Sequence, residues 1–266
     1  MADYPLSGGV ESSLAGWVSP YSGTAVATGT ASAIGAYSEM LSAANNLRDT
    51  VEVEAIVTSV TGSASSFLNV AIGAAGFEEI IIPNVFIGGY TSNKYIKIKF
   101  PISIPAGERI SCSAQGGTAG LSVYLRLISG GFKSATPFSE VVSLGADTAN
   151  TLGVRVSNGG VDTFSAWTEI VASTANDYAL LSSISFRDLG SWSTSEINYQ
   201  LAIGAAGFEQ IIDDGMWSNM TTAETGGYFT YTHNINIPKG VRLSFRQINS
   251  VGGTDLDLDY IFYGVK

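Results

Sequence analysis

Ala71-Ile72-Gly73-Ala74-Ala75-Gly76-Phe77-Glu78 recurs letter for letter as Ala202-Ile203-Gly204-Ala205-Ala206-Gly207-Phe208-Glu209. Carried on through Ile81 and Ile212, the two stretches differ only at Glu79 against Gln210. An identity of that length in 266 residues marks an internal duplication. The match extends outward in both directions. Upstream, Ala36-Tyr37-Ser38-Glu39-Met40-Leu41 answers Ala166-Trp167-Thr168-Glu169-Ile170-Val171, an offset of 130. Downstream, Ile104-Pro105-Ala106-Gly107-Glu108-Arg109 answers Ile237-Pro238-Lys239-Gly240-Val241-Arg242, an offset of 133. The drift is small, so the copies differ by short loop insertions. Pro5-Leu6-Ser7 against Pro137-Phe138-Ser139 sets the start of each copy, and Gly130-Gly131 sets the join. The expected domains are 1–132 and 133–266.

Each copy is about the size of one ordinary domain, large enough for a core without metal or disulfide staples. Charged residues make up 14% of the chain, glycines number 31, and the net charge is −10. Such a chain is repelled by nucleic acid and by anionic lipid, so neither is an expected partner. Cys112 is the sole cysteine, which excludes an intramolecular disulfide. The start Met1-Ala2-Asp3-Tyr4-Pro5 lacks the basic and apolar regions of a secretion signal. The longest apolar run, Ile80 to Ile87, is interrupted by Pro83 and Asn84 and is far too short to span a bilayer. The expectation is a protein made in a cytoplasm, with no membrane partner.

Alternation of period two dominates each copy. Val51, Val53, Ala55 and Val57 share one face; Leu121, Val123, Leu125 and Leu127 share another; Leu256, Leu258, Tyr260 and Phe262 repeat the pattern in the second copy. Gly88-Gly89, Pro105-Ala106-Gly107, Gly116-Gly117 and Asn158-Gly159-Gly160 punctuate the runs as turns. Only Glu39–Leu47 has a helical look, and it is short. The pattern predicts eight strands in the first copy, near 24–29, 37–42, 50–59, 67–73, 78–87, 94–103, 108–115 and 121–128, with counterparts in the second. The predicted fold is all-β: two tandem antiparallel β-sandwiches of jelly-roll type.

The order Ile72–Ile81, an alternating strand, Ile104–Ile110, and a closing strand ending in Tyr263-Gly264, with Ile203–Ile212 and Ile237–Leu243 in the second copy, resembles a repeat in structural proteins of tailed bacteriophages. The resemblance covers roughly the latter half of each copy. It implies a β-sandwich of the virion, without saying which virion part.

Candidate chemistry is sparse. With His233 as the sole histidine, His-rich zinc sites and the H-E-x-x-H motif are impossible. Neither a phosphate-binding G-x-x-x-x-G-K-[ST] loop nor a G-x-S-x-G elbow occurs. His233 answers Phe100 of the first copy and is read as a packing position. Glu78 with Arg109 and Glu209 with Arg242 are kept in both copies, as are Glu39 and Glu169. They are read as structural ion pairs, with a duplicated ligand site as the alternative. Asp255, Asp257 and Asp259 alternate along the last strand. Positions on one straight strand diverge, so a solvated acidic face or one meeting a basic partner is preferred to a calcium site. Trp167 answers Tyr37 and Trp217 answers Phe86, as core or half-buried positions. Trp17 and Trp192 have no clear counterpart and are candidates for a subunit contact or a glycan platform. Cys112 is expected to be a small buried hydrophobe.

The functional expectation is a non-enzymatic virion building block without cofactor or metal. It would decorate a capsid, with a collar, head-fibre or tail-fibre component close behind. Its partners would be the major capsid protein or other virion proteins, and it would form a homo-oligomer. The alternative is a receptor- or carbohydrate-binding module at a fibre or tail tip. A glycan hydrolase on the same scaffold would need two carboxylates facing each other in a cleft, which a sequence does not position.

Overall fold

The computed structural model describes residues 16–17, 24–26, 29–30, 33–60, 66–87, 96–116, 121–129, 138–146, 153–186, 195–219, 228–233, 235–249 and 258–266. They form two compact units, Met1–Val142 and Ser143–Gly264, with Val265 and Lys266 divided between them. The chain stays with the first unit past residue 133, where Ser103 donates its backbone N–H to the carbonyl of Phe138 (2.7 Å).

In the first unit the strands are β1 (Gly16–Trp17), β2 (Thr24–Val26), β3 (Ser38–Leu41), β4 (Thr50–Val60), β5 (Ser66–Ile72), β6 (Glu79–Ile87), β7 (Ile96–Phe100), β8 (Ile110–Gly116) and β9 (Leu121–Ser129). One sheet runs β1-β9-β4-β7 with β2 also on β9, and the other runs β3-β8-β5-β6. The strands of the second sheet pair are β10 (Val141–Leu144), which spans the boundary at Ser143, then β11 (Val154–Val156), β12 (Asn158–Val161), β13 (Thr168–Val171), β14 (Leu180–Phe186), β15 (Ser195–Ile203), β16 (Gln210–Asn219), β17 (Tyr228–His233), β18 (Leu243–Asn249) and β19 (Leu258–Val265). Here the sheets run β10-β19-β14-β17 with β11 on β19, and β12-β18-β15-β16 with β13 on β18. Counting from β2 and from β11, and leaving out the short β12, strands 1-8-3-6 make one sheet and 2-7-4-5 the other. This is jelly-roll order, in which successive strands cross between the sheets so that both inner faces come from the whole length of the chain. Each strand expected from alternation in the first copy is present.

The pattern of burial follows from the layering. In unit 1, Val53, Ala55, Leu68, Val70, Phe100, Leu125 and Cys112 are fully buried. In unit 2 the two sheets meet through aromatic rings: Phe245 of β18 lies 4.5 Å from Tyr260 and 5.5 Å from Phe262, both of β19, ring centre to ring centre. Pro83 is tolerated because β6 is an edge strand, where a missing N–H breaks no ladder. Asn84 beside it takes a positive φ of 53°, and its N–H goes to the Asn69 side chain at 2.9 Å.

One expectation is borne out in detail and one is corrected. The strand expected near 37–42 is β3, and the helical look of Glu39–Leu47 comes to no more than a 3-10 turn at Ala43–Asn45. Asn46 fixes that turn through its side-chain amide, which donates to the carbonyls of Pro105 (3.0 Å) and Glu108 (2.9 Å). Asp259 does not lie on a solvated acidic face. It is 5% exposed, because Arg155 stands directly opposite it on β11 and closes a bidentate pair at 2.9 and 2.8 Å. The strand is buried on both faces, so period two along it does not mark a wet side. Asp255 and Asp257 lie outside the described residues.

Candidate functional site

The duplicated block folds as the turn joining β5 to β6 and, again, β15 to β16. After Ile72 the chain reverses at Gly73, whose φ is +108°, and again at Gly76, whose φ is +85°. Gly204 and Gly207 repeat this at +116° and +83°. Phe77 donates its N–H to the Ala74 carbonyl, and Phe208 to that of Ala205, both at 2.9 Å. A glycine at the third position with that φ makes each a type II turn. Ala74 to Phe77 and Ala205 to Phe208 are all exposed. Phe77 and Phe208 are each 84% exposed, the most exposed large apolar side chains among the described residues.

A bracing network beneath each tip explains why Glu, Gly and Arg are kept together. Arg109 Nη1 donates to Glu78 Oε1 (3.0 Å) and to the Gly73 carbonyl (3.3 Å), while its Nε donates to Glu39 Oε2 (2.9 Å). Arg242 does the same with Glu209 (3.1 Å), Gly204 (3.4 Å) and Glu169 (2.8 Å). The second carboxylate oxygen of Glu78 accepts from Gly76 N–H at 2.9 Å, and that of Glu209 from Gly207 N–H at 3.0 Å. Each carboxylate thus ties the tip to the arginine. Desolvation raises the Glu78 and Glu209 pKa values, but backbone hydrogen bonds and the arginine outweigh it and leave both below the ordinary 4.5. One guanidinium against two carboxylates leaves each brace a net −1, carried partly by the half-exposed Glu39 or Glu169, while the tip itself, Ala-Ala-Gly-Phe, bears no charged side chain.

The first unit carries a second charged row, across the outer face of its first sheet. Lys99 and Arg126 flank Glu54 on the neighbouring strands, at 3.7 and 3.4 Å.

His233 is 1% exposed, as its match with Phe100 predicts, yet it does more than pack. Its Nε2 lies 2.9 Å from Ser183 Oγ, and its Nδ1 is hydrogen-bonded to Asp213 Oδ2. These are the atom pairings of a serine-protease triad. Ser183, however, is itself 1% exposed, so its hydroxyl is sealed inside the sandwich and offers nothing to a substrate. Desolvation pushes the His233 pKa below the ordinary 6.5 despite the opposing pull of Asp213. The match of His233 with Phe100 gave the burial but not the trio, since Ser183 and Asp213 sit at different offsets between the copies.

Trp167 is half-buried, with the Arg246 guanidinium carbon 4.3 Å from its ring centre and 4.8 Å from that of Phe164. Gln200 Oε1 accepts from Nε and Nη2 of the same arginine, at 2.8 and 2.6 Å. Sequence reasoning missed this cluster because Phe164 and Gln200 give no signal by themselves. Trp17 and Trp217 are placed by backbone alone, in β1 and β16, and Trp192 lies outside the described residues. Cys112 is buried, and burial pushes its thiol pKa far up, so it stays protonated. Among the described residues, no group of three or more His, Cys, Asp or Glu side chains is placed to hold a metal ion.

No family model matches the chain, and no curated protein does. Solved structures that are similar at low level include the following three. The tandem CBM22-1–CBM22-2 domains of Paenibacillus barcinonensis Xyn10C share 14% identity over 97% of this chain and 90% of theirs, with a TM-score of 0.28. N-glycanase F (PNGase F) shares 10% identity over 96% of each chain, at 0.35. A chain of the infectious bursal disease virus Gx strain shares 14% over 81% of this chain and 56% of its own, at 0.27. Likeness at this level carries no functional argument, and the jelly-roll assignment stands on strand order alone.

Proposed function

We propose that the chain is a non-enzymatic structural protein of a tailed-phage type virion, a homo-oligomer that decorates the capsid by docking on a repeating protein surface. The carrying observation is the tip built twice: an identical, neutral Ala-Ala-Gly-Phe turn, braced by the same arginine and two carboxylates, holding a phenylalanine out into water. A lone exposed apolar residue is ordinary. Leaving the same Phe unburied in both copies forgoes about 1.5–3 kcal/mol each time. The bracing beneath it fixes its aim, which cuts the ordering cost of binding. A neutral tip suits an apolar socket, and two identical tips suit a partner that repeats. The test is saturable binding of the purified chain to particles that lack it, followed by electron microscopy of the decorated particle. Wild type binds and F77S/F208S does not. Equal binding by both would remove the tips from docking, and no binding by either would remove the virion role.

A second reading, a carbohydrate-binding module, is favoured by the Phe164–Arg246–Trp167 cluster of unit 2. Half-exposed rings beside a guanidinium and an amide are the groups that grip a sugar. Selective binding on a glycan array, lost in Trp167→Ala, supports it; silence across the array removes it.

A further inference from the structure

The two units can be superposed residue by residue through their ladders. Thr50 bridges Ile104 as Tyr178 bridges Ile237, and Phe100 pairs with Val53 as His233 pairs with Leu181. Ser183 therefore stands where Ala55 stands. Asp213 pairs with Leu201 as Ile82 pairs with Val70, so Asp213 stands where Ile82 stands. Ala55, Ile82 and Phe100 are all buried at 1% exposure or less. Three apolar core positions of unit 1 are thus Ser, Asp and His in unit 2, and the three are hydrogen-bonded to one another. His233 introduced alone would bury a polar ring without the partners it has here, since both it and Ser183 are 1% exposed. The trio is a built device.

Its place in the fold gives it a task. His233 ends β17, an edge strand of one sheet, and Asp213 sits on β16, an edge strand of the other. Ser183 joins from β14, the neighbour of β17. The chain of hydrogen bonds therefore crosses the sandwich and clasps its two sheets along one edge. With Nδ1–H donated to Asp213, the neutral ring accepts the Ser183 hydroxyl proton at Nε2, and both ring nitrogens are served. A second proton on the ring turns Nε2 into a donor facing the serine and creates a buried charge. Around the ring, among the described residues, β16 supplies Asp213, β14 supplies Ser183, β15 supplies the Tyr199 ring (5.7 Å, edge-on) and β19 supplies Phe262 (6.0 Å). Tyr260 lies beyond Phe262, ring centres 6.3 Å apart, and burial raises its pKa, so it stays neutral. Among the described residues set against the ring, the compensating charge comes from Asp213, whose side chain is 22% exposed.

We propose that Asp213, His233 and Ser183 form an acid-sensitive clasp that closes the β16–β17 edge of unit 2 at neutral pH and releases it on mild acidification, while unit 1, with its apolar trio, stays closed. The sign follows from the histidine. Its folded pKa lies below the ordinary 6.5. Above that value folding involves no proton. Below it the opened edge takes up a proton that the closed edge resists, so closure weakens from 6.5 down to the folded value, by up to about tenfold per pH unit. The clasp works regardless of what the tips dock against.

As His233 is the sole histidine, its ring resonances in the full chain titrate without ambiguity. The expected midpoint is below 6.5, and a midpoint at or above it overturns the proposal, with no variant required. Hydrogen exchange from pH 7.5 to 5.0, corrected for intrinsic rate, supplies the second readout. Protection of β16 and β17 falls as the pH drops below 6.5, by up to about tenfold per pH unit, and that of β6 and β7 stays within about twofold. The variant S183A/D213I/H233F, which installs the unit 1 trio, abolishes the difference. Unchanged protection of β16 and β17 in the wild type, equal loss in both units, or a loss that persists in the triple variant each sinks the clasp.

Discussion

Arg109 and Arg242 each draw together a carboxylate from the paired strand β3 or β13, a carbonyl at the turn and a carboxylate just past it. A lysine, with one compact ammonium, could not reach all three in the plane that the guanidinium provides. The carboxylate is the titratable half of this brace. Glu78 and Glu209 have folded pKa values held below the ordinary 4.5, so the brace is complete above that pH and is lost as pH falls through the folded values. E78Q/E209Q keeps the shape and removes the charge. At pH 6 the variant is expected to melt below the wild type, and the gap should narrow as the pH falls below 4.5. A gap that persists unchanged at pH 3 would show that the charge plays no part in the brace.

The turn is the element that the arginine serves, and its two glycines do different jobs. Both need positive φ, which costs a side-chain-bearing residue about 1–2 kcal/mol. A Cβ at Gly76 or Gly207 meets open space, whereas one at Gly73 or Gly204 would lie 2.7 Å from the carbonyl oxygen of Phe77 or Phe208. G76A/G207A should therefore lower the denaturation midpoint by the conformational cost alone, about 1–2 kcal/mol per site, and G73A/G204A by clearly more. Equal losses in the two variants would contradict the close approach. The strands around these turns were legible in the sequence, because alternation and turn residues report local geometry. Burial on both faces was not, since it depends on what lies across the strand: Arg155 hides Asp259, and no pattern within β19 announces it. The trio at His233 was hidden for a related reason. The offset between copies is 133 at His233 and 131 at Asp213, but ladder pairing makes it 128 at Ser183. A loop difference of that kind pairs Ser183 with the wrong residue until the register is known. Phe77 and Phe208 were visible as letters of the repeat, but nothing in the sequence showed that the turn points them outward.

At the scale of the whole chain, duplication turns one weak contact into two that share a tether. One phenylalanine in an apolar socket contributes about 1.5–3 kcal/mol, too little to hold a protein on a particle. A second identical tip on the same chain binds at an effective concentration set by the tether, and avidity then exceeds either contact by about 10²–10⁴-fold. Homo-oligomerisation would multiply this again. The proposed docking therefore makes an asymmetric forecast. F77S alone and F208S alone should each reduce affinity for the particle by far more than the factor of two expected from losing half of independent sites. The two single variants should be alike at neutral pH, and F77S/F208S should add little to the loss already suffered by either. Titration of wild type, both single variants and the double variant onto undecorated particles measures this directly. Twofold losses in the single variants would mean that the tips act independently, and a loss confined to one of them would mean that only one unit docks, leaving the other copy of the block a turn and nothing more.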